Sequence, residues 1–146
     1  MLSKTAEYAL RATVFLARHR EEGWARTTDM ARETGVPANY LSKILHQLAR
    51  QGIVRSERGR NGGFALAHDP GDLTLARIIS VFGSVSRAKE CILGRPQCSP
   101  DDPCLAHDGW MAMEKHVAQF FETTTVGDVS TGAAEHPGNG GSGSPT

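Results

Sequence analysis

The chain has 146 residues, 39% of them hydrophobic, and its 16 basic and 16 acidic side chains cancel to a formal net charge of zero. That is one domain's worth of chain. No apolar run approaches the ~20 residues of a membrane span, and the N-terminal segment lacks the basic start and small-residue cleavage site of a signal peptide, so a cytoplasmic protein with reduced thiols and no membrane partner is expected.

The charge is unevenly spread. Residues 1–68 carry 11 Lys+Arg and 6 Asp+Glu, whereas residues 69–146 carry 5 and 10. A basic front half and an acidic back half point to a DNA-facing module joined to something else. In chain order, Ser3 can cap a first helix whose Ala6, Ala9, Leu10, Thr13, Leu16 and Ala17 form one apolar stripe, ending near Arg20. Thr27 or Thr28 can cap a short second helix through Thr34, stopped by Gly35, and Pro37 stands where a third begins. Helix, glycine turn and helix make a helix-turn-helix pattern.

In the third helix Leu41, Ile44, Leu45 and Leu48 recur at helical spacing and must face a core. Asn39, Ser42, Lys43 and His46 repeat that spacing shifted by two residues, about 200° around the helix, and so line the solvent face. Such side chains can meet base edges and phosphates. After Gly52, residues 53–57 read as a strand and residues 63–66 as its antiparallel partner. The connection Arg58-Gly59-Arg60-Asn61-Gly62-Gly63 is a basic, glycine-rich hairpin tip of the kind that serves as a wing. The candidate DNA contacts are Thr28, Asn39, Tyr40, Ser42, Lys43, His46, Arg58, Gly59 and Arg60.

Asp72 or Thr74 can start a fourth helix with Leu75, Ile78, Ile79 and Phe82 inward. Residues 83–103 show no period, and so long a connection implies a function. Pro103 can open a last helix, in which Trp110, Met113, Val117, Phe120 and Phe121 form a stripe with little left to cover but a second copy of the chain. Thr123 to Val126 is expected to fray that helix, and residues 130–146, rich in Gly, Ser and Pro, to be disordered. The expected fold is mainly α with a small β-wing. A winged helix-turn-helix occupies residues 1–70; a fourth helix, cysteine loop and long dimerisation helix occupy 71–129; a disordered tail occupies 130–146.

All three cysteines fall in the loop region, as C-x6-C-x5-C-x2-H through Cys91, Cys98, Cys104 and His107. An odd, clustered set favours ligand chemistry over disulfides. Three thiolates and an imidazole suit zinc or an iron–sulfur cluster, and gaps wider than the C-x2-4-C of zinc fingers fit the larger inorganic core better. Bare thiols acting as a redox switch are the metal-free alternative. An enzyme with Cys91 or Cys98 as nucleophile and His107 as base would lack an orienting third group and a substrate pocket, so neither catalysis nor a small-molecule substrate is expected.

Residues 1–129 resemble the IscR/NsrR-type winged-helix regulators of bacteria. The resemblance is carried by Leu2-Ser3-Lys4 leading to Tyr8-Ala9-Leu10-Arg11, by Tyr40-Leu41, and by Gly52-Ile53-Val54 with Arg58-Gly59 and Gly62-Gly63. It continues through the cysteine loop, Cys104-Leu105-Ala106-His107 with Trp110, and residues 125–129. The resemblance implies a homodimeric transcription regulator, a repressor in the first instance, on partly palindromic promoter double-stranded DNA. It also implies an iron–sulfur cluster, [2Fe-2S] favoured and [4Fe-4S] the alternative, sensing iron–sulfur supply, nitric oxide or redox state; some family members carry none. Cys91, Cys98 and Cys104 match the family's ligand cysteines, and His107 matches the histidine of its two-iron members. Glu7 stands where nitric-oxide-sensing members place an acidic ligand from the partner subunit. The first cysteine gap is six residues here, one longer than in the IscR proteins, which leaves the cluster type open.

Overall fold

The computed structural model describes residues 2–83, 93, 101 and 103–134. Helix α1 spans Lys4–Arg18, capped by Ser3, whose Oγ accepts the Ala6 N–H at 3.1 Å. Its buried face is Ala6, Ala9, Ala12, Thr13, Phe15 and Leu16; Leu10 and Ala17, expected inside, are half-buried. The alanines let α3 (Ala38–Arg50) and α6 (Val126–Ala134) pack against α1. Thr13 is fully buried, and its hydroxyl is satisfied by the carbonyls of Ala9 and Leu10 at 3.1 and 3.0 Å.

A single 3-10 turn, Arg20–Glu22, leads to α2, Thr27–Thr34. Neither Thr27 nor Thr28 is its cap. Arg26 holds that position without a side-chain capping bond, because the chain stays extended up to it: Ala25 is bridged to Phe64. Gly35 closes α2 at φ 76°, its N–H donating to Ala31 O at 3.0 Å.

Helix α3 buries Leu41, Ile44, Leu45 and Leu48, as its period predicts. Ile53 does not open the following strand. Its N–H donates to Leu48 O at 3.0 Å and finishes the helix end, while its side chain is fully buried. Strand β1 (Val54–Glu57) then pairs antiparallel with β2 (Gly63–Leu66), Val54 opposite Leu66 and Glu57 opposite Gly63. A 3-10 turn, Pro70–Asp72, precedes α4 (Leu75–Ser80), capped by Thr74 through the Arg77 N–H at 3.2 Å.

The back of the chain departs most from expectation. Helix α5 covers His107–Thr123, so Pro103 lies ahead of it; residues 105 and 106 form a turn in which the His107 N–H donates to Cys104 O at 3.0 Å. Residues 123–126 do not fray. Leu75 N–H donates to Thr124 O at 2.9 Å and Val126 N–H to Leu73 O at 2.8 Å, which pins this corner beside the start of α4. Thr125 and Asp128 then cap α6 reciprocally, the Thr125 N–H to Asp128 Oδ2 at 2.9 Å and the Asp128 N–H to Thr125 Oγ1 at 3.1 Å. Residues 130–134 are therefore helical rather than disordered, with Val126 and Ser130 buried where α6 meets α1 and the 3-10 turn at Pro70. Tertiary burial overrides the weak helix propensity of this Gly- and Ser-containing stretch. The rest of the expected tail, residues 135–146, lies outside the described residues. One cluster of buried side chains runs from Ala6 to Val126 and joins front and back of the chain.

Candidate nucleic-acid interface

The anchored apolar side of α3 dictates what its other side presents. Asn39, Tyr40, Lys43 and His46 are exposed and Ser42 is half-buried, a continuous polar face. Tyr40 is 55% exposed and leans on Tyr8 of α1, ring centroids 6.4 Å apart. Lys4 and Arg11 each lie 5.8 Å from the Tyr8 ring. Basic groups of α1 thus adjoin the start of α3, which the one-dimensional pattern did not indicate. Thr28 is exposed in the first turn of α2.

His46 sits at a joint. A carbonyl can only accept, so its Nδ1 donates to Ser42 O at 2.7 Å, which leaves Nε2 as the nitrogen able to meet DNA. Its ring meets Phe64 of β2 edge to face at 5.7 Å. The α3 face and the hairpin are therefore in contact.

The hairpin tip holds Arg58, Gly59 and Arg60, all exposed. Gly62 and Gly63 have steric reasons. A Cβ on Gly62 would lie 2.1 Å from Glu57 O, and one on Gly63, at φ 152°, would lie 2.2 Å from Ala25 O. Ala25 is a one-residue third strand, its N–H donating to Phe64 O at 2.9 Å and its carbonyl accepting the Phe64 N–H at 2.8 Å. Next to it, the Arg26 guanidinium donates to the main-chain carbonyl of Arg60, and the Arg55 guanidinium lies 5.5 Å from the Trp24 ring. Residues 24–26 escaped sequence reasoning because no local pattern marks a single bridge between distant residues.

Of the candidate metal ligands, Cys91 and Cys98 lie outside the described residues. Cys104 is half-buried in the turn before α5, and His107, the first residue of α5, is buried. Because Cys104 precedes the helix, a backbone bond in a turn joins this pair rather than a shared helical face. Among the described residues no three His, Cys, Asp or Glu side chains are grouped to hold a metal ion. The Glu7 carboxylate is engaged by Arg11 at 2.8 Å and Lys4 at 3.5 Å. Glu114, two helical turns beyond His107 on the same side of α5, has a buried Oε2 with no hydrogen-bond partner among the described residues; a charged letter in a helix rich in polar ones gave no warning of burial.

The α5 stripe divides. Phe121 is only 8% exposed and belongs to the subunit's own core, so it is withdrawn from the candidate dimer surface. Trp110 and Val117 are half-buried. Met113 and Phe120 are 41% and 51% exposed, and Leu105, just ahead of the helix, is fully exposed.

A helix-turn-helix with a basic two-stranded wing defines a winged-helix DNA-binding regulator; among the described residues no helix is long and apolar enough to cross a membrane. More narrowly, the chain belongs to the Rrf2 family, described as iron-dependent transcriptional regulator, whose model matches residues 2–132. An HTH-type transcriptional regulator of Aquifex aeolicus is 34% identical over 131 residues, covering 88% of this chain and 90% of that protein. The HTH-type transcriptional regulator IscR of Xenorhabdus nematophila is 28% identical over 128 residues, 88% of this chain and 77% of that one. Among solved structures, T. potens IscR superposes with a TM-score of 0.69 at 25% identity, over 91% of this chain and 88% of that one. CymR, the global cysteine regulator of B. subtilis, shares the fold with a TM-score of 0.75 at 23% identity, over 90% and 96%. These relatives are transcription regulators rather than enzymes.

Proposed function

We propose that this regulator is a cytoplasmic homodimeric repressor whose hold on promoter DNA depends on an iron–sulfur cluster carried by Cys91, Cys98, Cys104 and His107. The observation that carries the proposal is the juxtaposition of Cys104 and His107 in one turn at the head of α5, in a family described as iron-dependent. The donor set fits the group: thiolates are the soft ligands of iron–sulfur clusters and an imidazole also binds iron, and here a thiolate and an imidazole stand three residues apart with two further cysteines upstream. A bound cluster would supply a redox-responsive centre at this end of the helix.

The chain's own residues connect that centre to DNA. His107 opens α5, and Phe121 near its other end is embedded in the core that also anchors α1 and α3. Between them Met113 and Phe120 leave apolar surface that a second subunit would cover. A change at the head of α5 is thereby passed to the spacing of two DNA-binding faces. It regulates only if one ligation state favours the DNA-binding geometry energetically. His107 is preferred to the partner subunit's Glu7 because it already shares the Cys104 turn, whereas Glu7 would give up two surface ion pairs. Those pairs are together worth no more than about 1–2 kcal/mol.

Protein purified without oxygen should be coloured and contain iron and acid-labile sulfide. His107→Ala should alter the visible spectrum, and Glu7→Ala should not. The opposite pattern would transfer the fourth ligand to Glu7. Protein colourless after anaerobic reconstitution would overturn the cluster, a zinc content then marking a structural metal site and its absence a thiol switch.

A further inference from the structure

We infer that Arg26 is a positioning residue for DNA binding: it latches the wing to the base of α2, so that wing and α3 face the duplex as one rigid unit. The inference rests on the DNA-binding role of the wing arginines.

Four contacts carry it. The Arg26 guanidinium donates to the carbonyl of Arg60 at the hairpin tip, 34 residues away in sequence. Ala25, its neighbour, is bonded in both directions to Phe64 in β2. The Phe64 ring in turn meets the His46 ring on the outer face of α3. Trp24, on the other side of Ala25, lies against the Arg55 guanidinium of β1. Residues 24–26 thus touch both strands and the tip of the wing, and reach α3 through Phe64.

The hairpin needs such support. A two-stranded sheet with four residues per strand is marginal in water by itself, and of β1 only Val54 is buried. A tip of this kind is free to sample orientations, and ordering it at the moment of DNA binding would cost entropy. A bond from a charged donor to the tip's main chain is stronger than a neutral one. It also binds the backbone of Arg60, so it leaves the Arg60 side chain able to meet a phosphate. Arg26 itself is exposed and contributes nothing to the buried core, so its removal leaves the fold intact.

Positioning and direct phosphate contact are separated by a double-mutant cycle on the full-length protein. The probe is a duplex that the wild-type protein selects from a random-sequence pool. Arg26→Ala should weaken binding about fivefold in the wild-type background, an effect of the size expected for one typical intramolecular hydrogen bond. In the Arg58→Ala, Arg60→Ala background the same change should have less than about a twofold effect, because the groups it positions are gone. In the free protein, Arg26→Ala should speed amide hydrogen exchange at residues 59–62 and leave α3 unchanged. An equal loss in both backgrounds would mean that Arg26 touches DNA itself, and would overturn the proposal; so would unchanged affinity or unchanged exchange at the tip. If Arg58→Ala, Arg60→Ala alone binds normally, it is the wing assignment that fails, and the latch has nothing to position.

Discussion

Helices α3 and α5 are both amphipathic, yet they are finished to different degrees. In α3 the apolar side is wholly used: Leu41, Leu45 and Leu48 are completely buried and Ile44 nearly so. What it leaves outside is polar apart from Ala38 and the ring of Tyr40. In α5, longer by four residues, only His107 and Phe121 are buried, and Met113 and Phe120 keep a large apolar area in water. Exposed polar groups on a rigid helix suit a polar partner such as DNA, while exposed apolar groups suit a protein surface. The contrast between the two helices therefore supports the proposed division between an end that would face DNA, complete within one subunit, and an end that a second subunit would complete.

The largest effect should come from breaking the finished side. Leu45→Ala leaves a cavity in the core and should cost about 3 kcal/mol of stability, read as a lower urea midpoint with unchanged slope. Phe120→Asp tests the unfinished side. It should retain the far-ultraviolet helical signal of the wild type and sediment as a monomer; a dimeric Phe120→Asp variant would remove α5 from the interface. The smallest effect lies away from both helices, at Asp69. The Gly71 N–H and then the Arg20 guanidinium hold its carboxyl below the ordinary value of 3.8. A folded-state value lowered in this way stabilises the protein above the unfolded value, and the contribution is lost as pH falls through the folded one. Asp69→Asn should thus be slightly less stable than wild type at neutral pH, the difference vanishing below the ordinary carboxylate range. A difference that grew on acidification would contradict the assignment.

The same two regions show what was legible in one dimension. The apolar residues of α3 recur at i, i+3, i+4 and i+7, a period set by local geometry, so helix and buried face could be read directly. The hairpin was readable because Gly62 and Gly63 sit where a Cβ would strike backbone and Gly59 takes a positive φ of 107°. By contrast, the Ala25–Phe64 bridge and the Arg26–Arg60 bond join residues far apart in sequence, and no local pattern announces them. Helix α6 did carry a signal, the Thr125-x-x-Asp128 capping box, which the Gly- and Ser-rich composition of the tail obscured. The inward turn of Phe121 is likewise tertiary: Phe120 and Phe121 are adjacent, and only the packing of α5 decides which of them enters the core.

The central claim is that the α3 face and the wing together grip a duplex, and its direct test is the salt dependence of binding. The affinity of the wild-type protein for its selected duplex should fall steeply as salt rises, since each phosphate contact adds about 0.9 to the slope of log affinity against log salt. Arg58→Ala, Arg60→Ala should bind more weakly with a slope flatter by about 2. A double variant with wild-type affinity and wild-type slope would contradict the account.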